Sequence, residues 1–510
     1  MSKFSKPMTI GIVGTGAMGR GIAQVSVEGG LNVQLFDVQP GAAAKAQAFI
    51  GSMIERSVAK GTRTAGQAAE VMARVHVVEA FEDLKACDIV VEAILEMLEA
   101  KQSLFADLDA LCGPDTILAS NTSSLPITAI AARCKHPERV AGLHFFNPVP
   151  LMKLVEVIPG LKTATEVTAK LMEVSRLMTR EPVLCTDSPG FIVNHIGRAY
   201  VPEAARIVSE GIATFDEIDR IMTATVGMRM GPFQLLDLVG ADVSVAVMES
   251  LYGQFYQEPM YAPQPVLRAR VDGGAFGQKS GAGWYQYKEG KRVEPTPKAA
   301  PSARPKSVWV YPSQSHADLQ APLIALFEKS GVTVETGEKP SASALVVITP
   351  IGYDVTTAVY DLKLDGARTV AVDVLFGIDG PRTLMVTPAT SPAMRDAAHG
   401  LLGSDGGGVI VINDSPGFIA QRIVAHIINV GCQIAQRGVA SPEDIDKSAK
   451  LGLAYPMGPL AWGDKLCVER IHFILQRLHT FYGEPRYRPS SWLKRRAQLG
   501  LSLLTPDGKG

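Results

Sequence analysis

The chain has 510 residues, 46% of them apolar and 20% charged, with 50 Lys and Arg set against 51 Asp and Glu. This balance belongs to a globular protein of two or more domains, each of roughly 100 to 200 residues. It argues against a nucleic-acid partner, which calls for a strong positive bias.

The six cysteines lie far apart, with no CxxC pair and no histidine at metal-ligand spacing, so free thiols and no metal site are expected. "MSKFSKP" runs into the first strand without an apolar signal segment, and no run reaches the roughly 18 to 20 apolar residues that span a bilayer. A cytoplasmic location and no membrane partner are expected.

"TIGIVG" reads as a fully buried strand, and the glycines that follow, Gly14, Gly16 and Gly19, open a helix. In such a strand–turn–helix unit the first glycine permits a tight turn, the second lets a pyrophosphate approach the backbone, and the third lets helix and strand pack. The free N–H groups at the helix start face the phosphates. A glycine-rich bend alone is weak evidence, but "LNVQLFDVQP" supplies a second strand ending at Asp37, eighteen residues after Gly19. A carboxylate there accepts hydrogen bonds from an adenosine ribose and repels a 2′-phosphate, which favours NAD over NADP. "VHVVEA", "CDIVVEAIL" and "TILASNTSS" continue the alternation of strands and helices, predicting a parallel, doubly wound sheet.

Oxidation of an alcohol by nicotinamide needs a base for the hydroxyl proton, and histidine suits this near neutral pH. "RVAGLHFFNPVPLMKLVEVI" ends one apolar run at His144 and places Glu156 twelve residues on in another. Two adjacent strands would bring imidazole and carboxylate together as a dyad. "SNTSSLPIT" places small polar residues after a buried strand, and Ser123 or Ser124 reads as a helix N-cap. "DSPGFIVNHI" reads as a loop and then a helix opening near Pro189, with Asn194 in its first turns.

"GIVGTGAMGRGIAQ", "VVEAILEMLEAKQSLF", "ILASNTSSLPIT", "GLHFFNPVPLMKLVEV", "DSPGFIVN", "MGPFQLLDLVG" and "FGQKSGAGWYQY" together resemble the L-3-hydroxyacyl-CoA dehydrogenases of fatty-acid and phenylacetate breakdown, over residues 8 to 288. The resemblance implies NAD as cofactor and an acyl-CoA as substrate. It implies His144 as base, Glu156 as its orienting partner, and Ser123 and Asn194 on the reacting oxygen and thioester carbonyl. Glu96, Lys101, Asn147 and Lys279 match positions expected around NAD, and Lys60 matches, more loosely, a residue that contacts the CoA phosphates. The long form resembles family members linked to phenylacetate catabolism, where 3-hydroxyadipyl-CoA is the expected substrate, with 3-hydroxybutyryl-CoA as the alternative. Two alternatives stand beside it: a related dehydrogenase of small hydroxy acids such as gulonate, and a non-catalytic NAD-binding scaffold.

The chain repeats itself. "DSPGFI" at Asp187 recurs at Asp414, and the same 227-residue shift aligns Gly211 with Gly438, Asp219 with Asp446, "MGP" at Met230 with Met457, and Asp237 with Asp464. "SVWVYP", "VTVE", "ALVVITP" and "TVAVDVLF" read as strands of a shortened α/β unit without a glycine fingerprint. Aligning "GLHFF" with "VDVLF" puts Val374 opposite His144, Val386 opposite Glu156 and Gln421 opposite Asn194, so the second copy is expected to be inactive. It is read as an intramolecular partner for the first helical domain, a pseudo-dimer, with further oligomerisation left open. "WLKRRAQ", with Lys494, Arg495 and Arg496, reads as a solvated helix face, with a contribution to CoA binding as the alternative.

The expected architecture is a Rossmann-type α/β domain (1–187), an all-α domain (188–288), a Pro/Ala-rich linker (289–306), a degenerate shortened α/β unit (307–413) and a second all-α domain (414–510).

Overall fold

Strands that are apolar on both faces need helices above and below them, and a parallel sheet provides that arrangement. The computed structural model describes residues 8–295 and 300–508; residues 1–7 and 296–299, the latter inside the expected linker, lie outside the described residues. The chain forms two units, one reaching to His195 and taking in Arg437–Leu453, the other made of Ile196–Gln436 and the residues from Ala454 onward.

In the first unit β1 (Thr9–Val13), β2 (Asn32–Phe36), β3 (Val75–Val77), β4 (Ile89–Glu92), β5 (Ile117–Ser120), β6 (Val140–Phe145), β7 (Leu154–Pro159) and β8 (Glu181–Leu184) form one sheet in the order β3-β2-β1-β4-β5-β6-β7-β8. All neighbours are parallel except β6 and β7, the pair that carries His144 and Glu156. Helix α1 (Ala17–Glu28) follows β1, and α2 (Leu98–Leu111) follows β4. Ile10, Ile12, Val33 and Leu35 centre the core under α1. The helix expected to open near Pro189 instead begins at Val193, as α3 (Val193–Gly197). Gly190 and Phe191 adopt left-handed φ of 73° and 49°, which no α-helix accommodates. The helix Pro442–Gly452, from the second repeat, belongs to this unit, where the Thr186 N–H donates to the Val439 carbonyl at 2.8 Å.

In the second unit α4 (Val201–Ser209) and the helices Pro232–Val239, Ala241–Gln254 and Pro265–Asp272 form the first helical region. A second sheet follows, made of β9 (Ser307–Val310), β10 (Thr333–Glu335), β11 (Leu345–Ile348), β12 (Thr369–Val372), β13 (Arg382–Val386) and β14 (Val409–Asn413) in the order β10-β9-β11-β12-β13-β14. Helix α5 (Ala317–Lys329) joins β9 to β10, and α6 (Val355–Leu362) joins β11 to β12.

The two sheets are built alike. The Asp187 carboxylate accepts the Ile127 and Thr128 N–H groups beyond β5, and the Asp414 carboxylate accepts those of Val355 and Thr356 beyond β11. β11 therefore stands for β5, and the second copy lacks the counterparts of β3 and of β4 with α2. Asp237 accepts the Trp284 N–H at 2.9 Å, and its repeat Asp464 accepts the Leu503 N–H at 2.7 Å.

The second helical region contains α7 (Ala420–Gln436), unbroken for 17 residues, and α8 (Val468–Tyr482). Glu203 on α4 bonds to Arg422 on α7, to Arg486 and to the Tyr487 hydroxyl, all of them buried. The basic stretch after α8 is not wholly solvated. Arg496 is buried, stacked on Trp492 and donating to the Thr505 carbonyl, while Lys494 and Arg495 are exposed as expected.

Candidate active site

The turn after β1 shows why glycine is needed at three places. Gly14 has φ 88°, and a Cβ there would lie 2.7 Å from the Ala93 carbonyl oxygen; a Cβ at Gly19 would overlap the Gly14 backbone. At Gly16 nothing lies within 4 Å, so the backbone is open to a ligand at the start of α1. Asp37, just past β2, accepts the Thr15 N–H at 2.7 Å, the Thr15 hydroxyl at 2.8 Å and the Gln39 N–H at 2.9 Å. Partial burial pushes its carboxyl up, but these hydrogen bonds outweigh that and hold it below its ordinary value.

Beyond β4 lies a charge cluster. The Lys101 ammonium on α2 sits 2.6 Å from Glu92 and 3.1 Å from Glu96, with Lys101 and Glu92 fully buried. Glu96 also accepts the Ser123 N–H at 2.9 Å, the Ser124 N–H at 3.1 Å and the Thr122 hydroxyl at 2.7 Å. Burial raises the Glu96 carboxyl, yet Lys101 and these donors keep it below the usual range. Neither Ser123 nor Ser124 is a helix N-cap: the short helix Ile127–Ile130 is preceded by Pro126, and its free N–H groups go to Asp187. Glu92, which also accepts the Ser120 hydroxyl at 2.6 Å, escaped the sequence reading. Its signal was a charged residue at the end of the apolar run "DIVVE".

His144 and Glu156 face each other across the β6–β7 pair, with imidazole Nδ1 2.7 Å from carboxylate Oε2. Both are buried. The other Glu156 oxygen accepts the Ile192 and Val193 N–H groups at 3.0 and 2.9 Å, at the start of α3. Asn194, next on α3, donates from Nδ2 to the Ser123 carbonyl at 3.2 Å. The Phe145 N–H donates to the Asn121 side chain at 2.8 Å, which fastens the end of β6 to the loop after β5. Thus Ser123, His144, Glu156 and Asn194 converge through four backbone-anchored contacts, with Glu96 and Lys101 joined to the same loop.

Asn147 is exposed, three residues past His144. Lys60 is exposed at the C-cap of the helix Ala42–Ala59. Lys279 belongs to the second unit, where its ammonium pairs with Asp242 at 2.6 Å.

The second sheet corrects the alignment of the second copy with the first. β12 and β13 pair Val370 with Val386, so Val374 and Val386 are not opposite each other. Continuing that register sets Asp373 against Thr383, and the Asp373 N–H donates to the Thr383 carbonyl. Thr383 pairs with Ile410, which lies one repeat length beyond Val183, the partner of Glu156. Asp373 therefore stands where His144 does and Thr383 where Glu156 does. The Gln421 amide donates to Asp373 at 2.9 Å, and burial pushes the Asp373 carboxyl up to about 6 despite that bond.

Comparison with known proteins agrees with this geometry. Residues 9–188 match the family described as 3-hydroxyacyl-CoA dehydrogenase, NAD binding domain, and residues 190–287 and 417–507 both match its C-terminal domain. The 3-hydroxyadipyl-CoA dehydrogenase of Escherichia coli K12 is 39% identical over 96% of this chain and 98% of its own length. A probable 3-hydroxybutyryl-CoA dehydrogenase of Bacillus subtilis is 42% identical over 54% of this chain and 96% of its own. A crystal structure titled 3-hydroxybutyryl-CoA dehydrogenase, also from E. coli K12, superposes with a TM-score of 0.84 at 37% identity, covering 97% of this chain and 99% of that one. The glycine turn, the dyad and the full-length likeness together show that the chain belongs to the 3-hydroxyacyl-CoA dehydrogenase family and is an NAD-binding enzyme of that class.

Proposed function

We propose that the chain interconverts L-3-hydroxyacyl-CoA and 3-oxoacyl-CoA, with 3-hydroxyadipyl-CoA as its preferred substrate and the first copy as its active site. The observation that carries the reaction is the His144–Glu156 contact. A carboxylate only accepts, so His144 Nδ1 carries the proton and Nε2 is left as the base for the substrate hydroxyl. Glu156 is fixed on its other oxygen by two N–H groups, so it orients the ring and stabilises the imidazolium that forms. Ser123 and Asn194 position the reacting oxygen and the thioester carbonyl. The residues of the β1 turn fit NAD: open backbone at Gly16, a helix start, and a carboxylate at Asp37. NAD, when bound, supplies the hydride acceptor. Glu96, Lys101, Asn147 and Lys279 are assigned to its neighbourhood, and Lys60 to the CoA phosphates.

The choice of substrate rests on the full-length likeness to the E. coli 3-hydroxyadipyl-CoA dehydrogenase. The buried Glu203 cluster supports reading the second helical region as an internal partner of the first. Six free cysteines go with a reducing cytoplasm, and no helix among the described residues is long and apolar enough to cross a membrane. The test is a kinetic panel of 3-hydroxybutyryl-, 3-hydroxyhexanoyl- and 3-hydroxyadipyl-CoA, with free 3-hydroxybutyrate and gulonate as controls. The highest kcat/KM belongs to 3-hydroxyadipyl-CoA. Preference for the butyryl thioester overturns the choice of acyl chain, and turnover of the free acids overturns the CoA assignment.

A further inference from the structure

The second sheet keeps a ligand crevice although it has lost the glycine turn. From β9 the chain crosses through α5 to β10 on one side, while β11 lies on the other. The carboxyl ends of β9 and β11 are thus the point where the strand order reverses, the place where doubly wound sheets bind ligands. A cavity of about 330 Å³ opens there, lined by Tyr311, His316, Tyr353, Asp361 and Phe473 among others. That volume falls at the lower end of small-molecule sites, about 300 to 1,000 Å³.

The polar wall is ordered by one histidine. His316 Nε2 lies 2.8 Å from the Thr349 carbonyl oxygen, which only accepts, so Nε2 carries the hydrogen and Nδ1 presents its lone pair. Two hydroxyls compete for that lone pair, Ser313 at 2.8 Å and Ser315 at 2.9 Å. A single lone pair takes one of them; the other hydroxyl has only the long 3.3 Å contact to its neighbour's oxygen, which an acceptor in the cavity can replace. Burial lowers the imidazole below its ordinary value, in keeping with a neutral ring. Opposite, Tyr353 and Phe473 meet edge to face with ring centres 5.9 Å apart, Arg477 covers one face of each ring, and Asp361 stands exposed at the rim.

The same features count against phosphate. "YPSQSH" has no glycine to bring its backbone against a pyrophosphate, and Asp318 already places a negative charge in the first turn of α5. What remains is room for a flat, uncharged ring system with hydrogen-bond acceptors, carrying hydroxyls toward Asp361. We propose that this cavity binds a neutral purine nucleoside, its base against Tyr353 and Phe473, an acceptor nitrogen on the Ser313/Ser315 pair, and its ribose diol on Asp361. The site is separate from the first-copy active site and does not depend on the substrate assigned there.

Titration calorimetry of the full-length protein, saturated with NAD to fill the first copy, tests this with adenosine as the probe. One adenosine binds per chain. Ser313→Ala weakens it at least fivefold and Ala358→Met, which fills the cavity from α6, at least tenfold, while both variants keep their dehydrogenase turnover. AMP binds at least tenfold more weakly than adenosine. No saturable heat at millimolar adenosine, equal affinity for AMP, or unchanged affinity in Ser313→Ala each overturns the proposal. Ser313→Ala decides the matter alone if the larger side chain prevents folding.

Discussion

The Glu203 carboxylate lies 2.6 Å from the Arg422 guanidinium, and neither side chain reaches solvent. One belongs to the first helical region and the other to its repeat, so the two copies are joined at a place where water cannot replace a missing partner. Neutralising Glu203 takes the carboxylate from the buried Arg486 and leaves Arg422 to Glu210, whereas removing Arg422 leaves Glu203 with Arg486 and Tyr487. Glu203→Gln is expected to cost about 3 to 5 kcal/mol of stability, read as a lowered urea midpoint, and Arg422→Leu less, because Glu203 keeps Arg486. In the double variant Glu203→Gln/Arg422→Leu the two losses are less than additive; full additivity removes the pairing argument.

His144→Gln lowers kcat by roughly 10²- to 10⁴-fold and leaves NAD affinity near its original value, because the base acts on substrate alone. Glu156→Gln also lowers kcat, through the ring it orients. Stopped-flow turnover and NADH fluorescence titration check both. Wild-type turnover in His144→Gln removes the base assignment.

Asp37 is expected to set the coenzyme. Its carboxylate is held low by Thr15 and Gln39 and so is charged at neutral pH, which repels a 2′-phosphate. Specificity constants favour NAD, and Asp37→Ser with an arginine in place of Val38 shifts preference toward NADP. An unmodified enzyme that prefers NADP contradicts this.

Asp373 gives the second sheet a pH dependence of opposite sign to that of an ion-paired acid. Its folded carboxyl titrates near 6 against 3.8 for the free group, so between about pH 4 and 6 the folded state holds a proton that the unfolded state has released. Stability therefore falls as pH rises through that window, by about 3 kcal/mol for a shift of this size. Asp373→Asn lowers the slope and leaves the share of Asp219, which burial also pushes up to about 6; thermal unfolding at a series of pH values detects the difference. A slope unchanged in the variant assigns it to another group.

Calorimetry is expected to find one NAD per chain, since the turn after β9 has no counterpart of Gly14, Gly16 or Gly19. Two NAD per chain overturn the view that the second copy has lost its cofactor site.

The features legible in the sequence were those carried by local pattern. An apolar run, three glycines and an acid after the next strand are close in sequence and define the β1–β2 turn. His144 and Glu156 were legible because two neighbouring strands joined by a short loop must face each other. The register of the second copy is hidden in the sequence because "GLHFF" and "VDVLF" match in apolar character whether or not the register slips by a residue, and one residue reverses the faces of a strand. The Lys101–Glu92 pair was hidden because nothing in a helix pattern distinguishes a solvated lysine from one turned inward onto a strand-end acid. The late start of α3 depends on Phe191 taking a left-handed conformation, which its residue type does not announce.

The helix Pro442–Gly452 completes the first unit, though about 240 residues separate it from His195. At a ribosomal rate of roughly 5 to 20 residues per second, the Thr186 N–H waits on the order of 10 to 50 s for the Val439 carbonyl to emerge. The catalytic unit is therefore finished late in synthesis, by chain that follows most of the second copy. A nascent chain arrested before residue 437 already contains Ser123, His144, Glu156 and Asn194 and still lacks a wall of the unit that holds them.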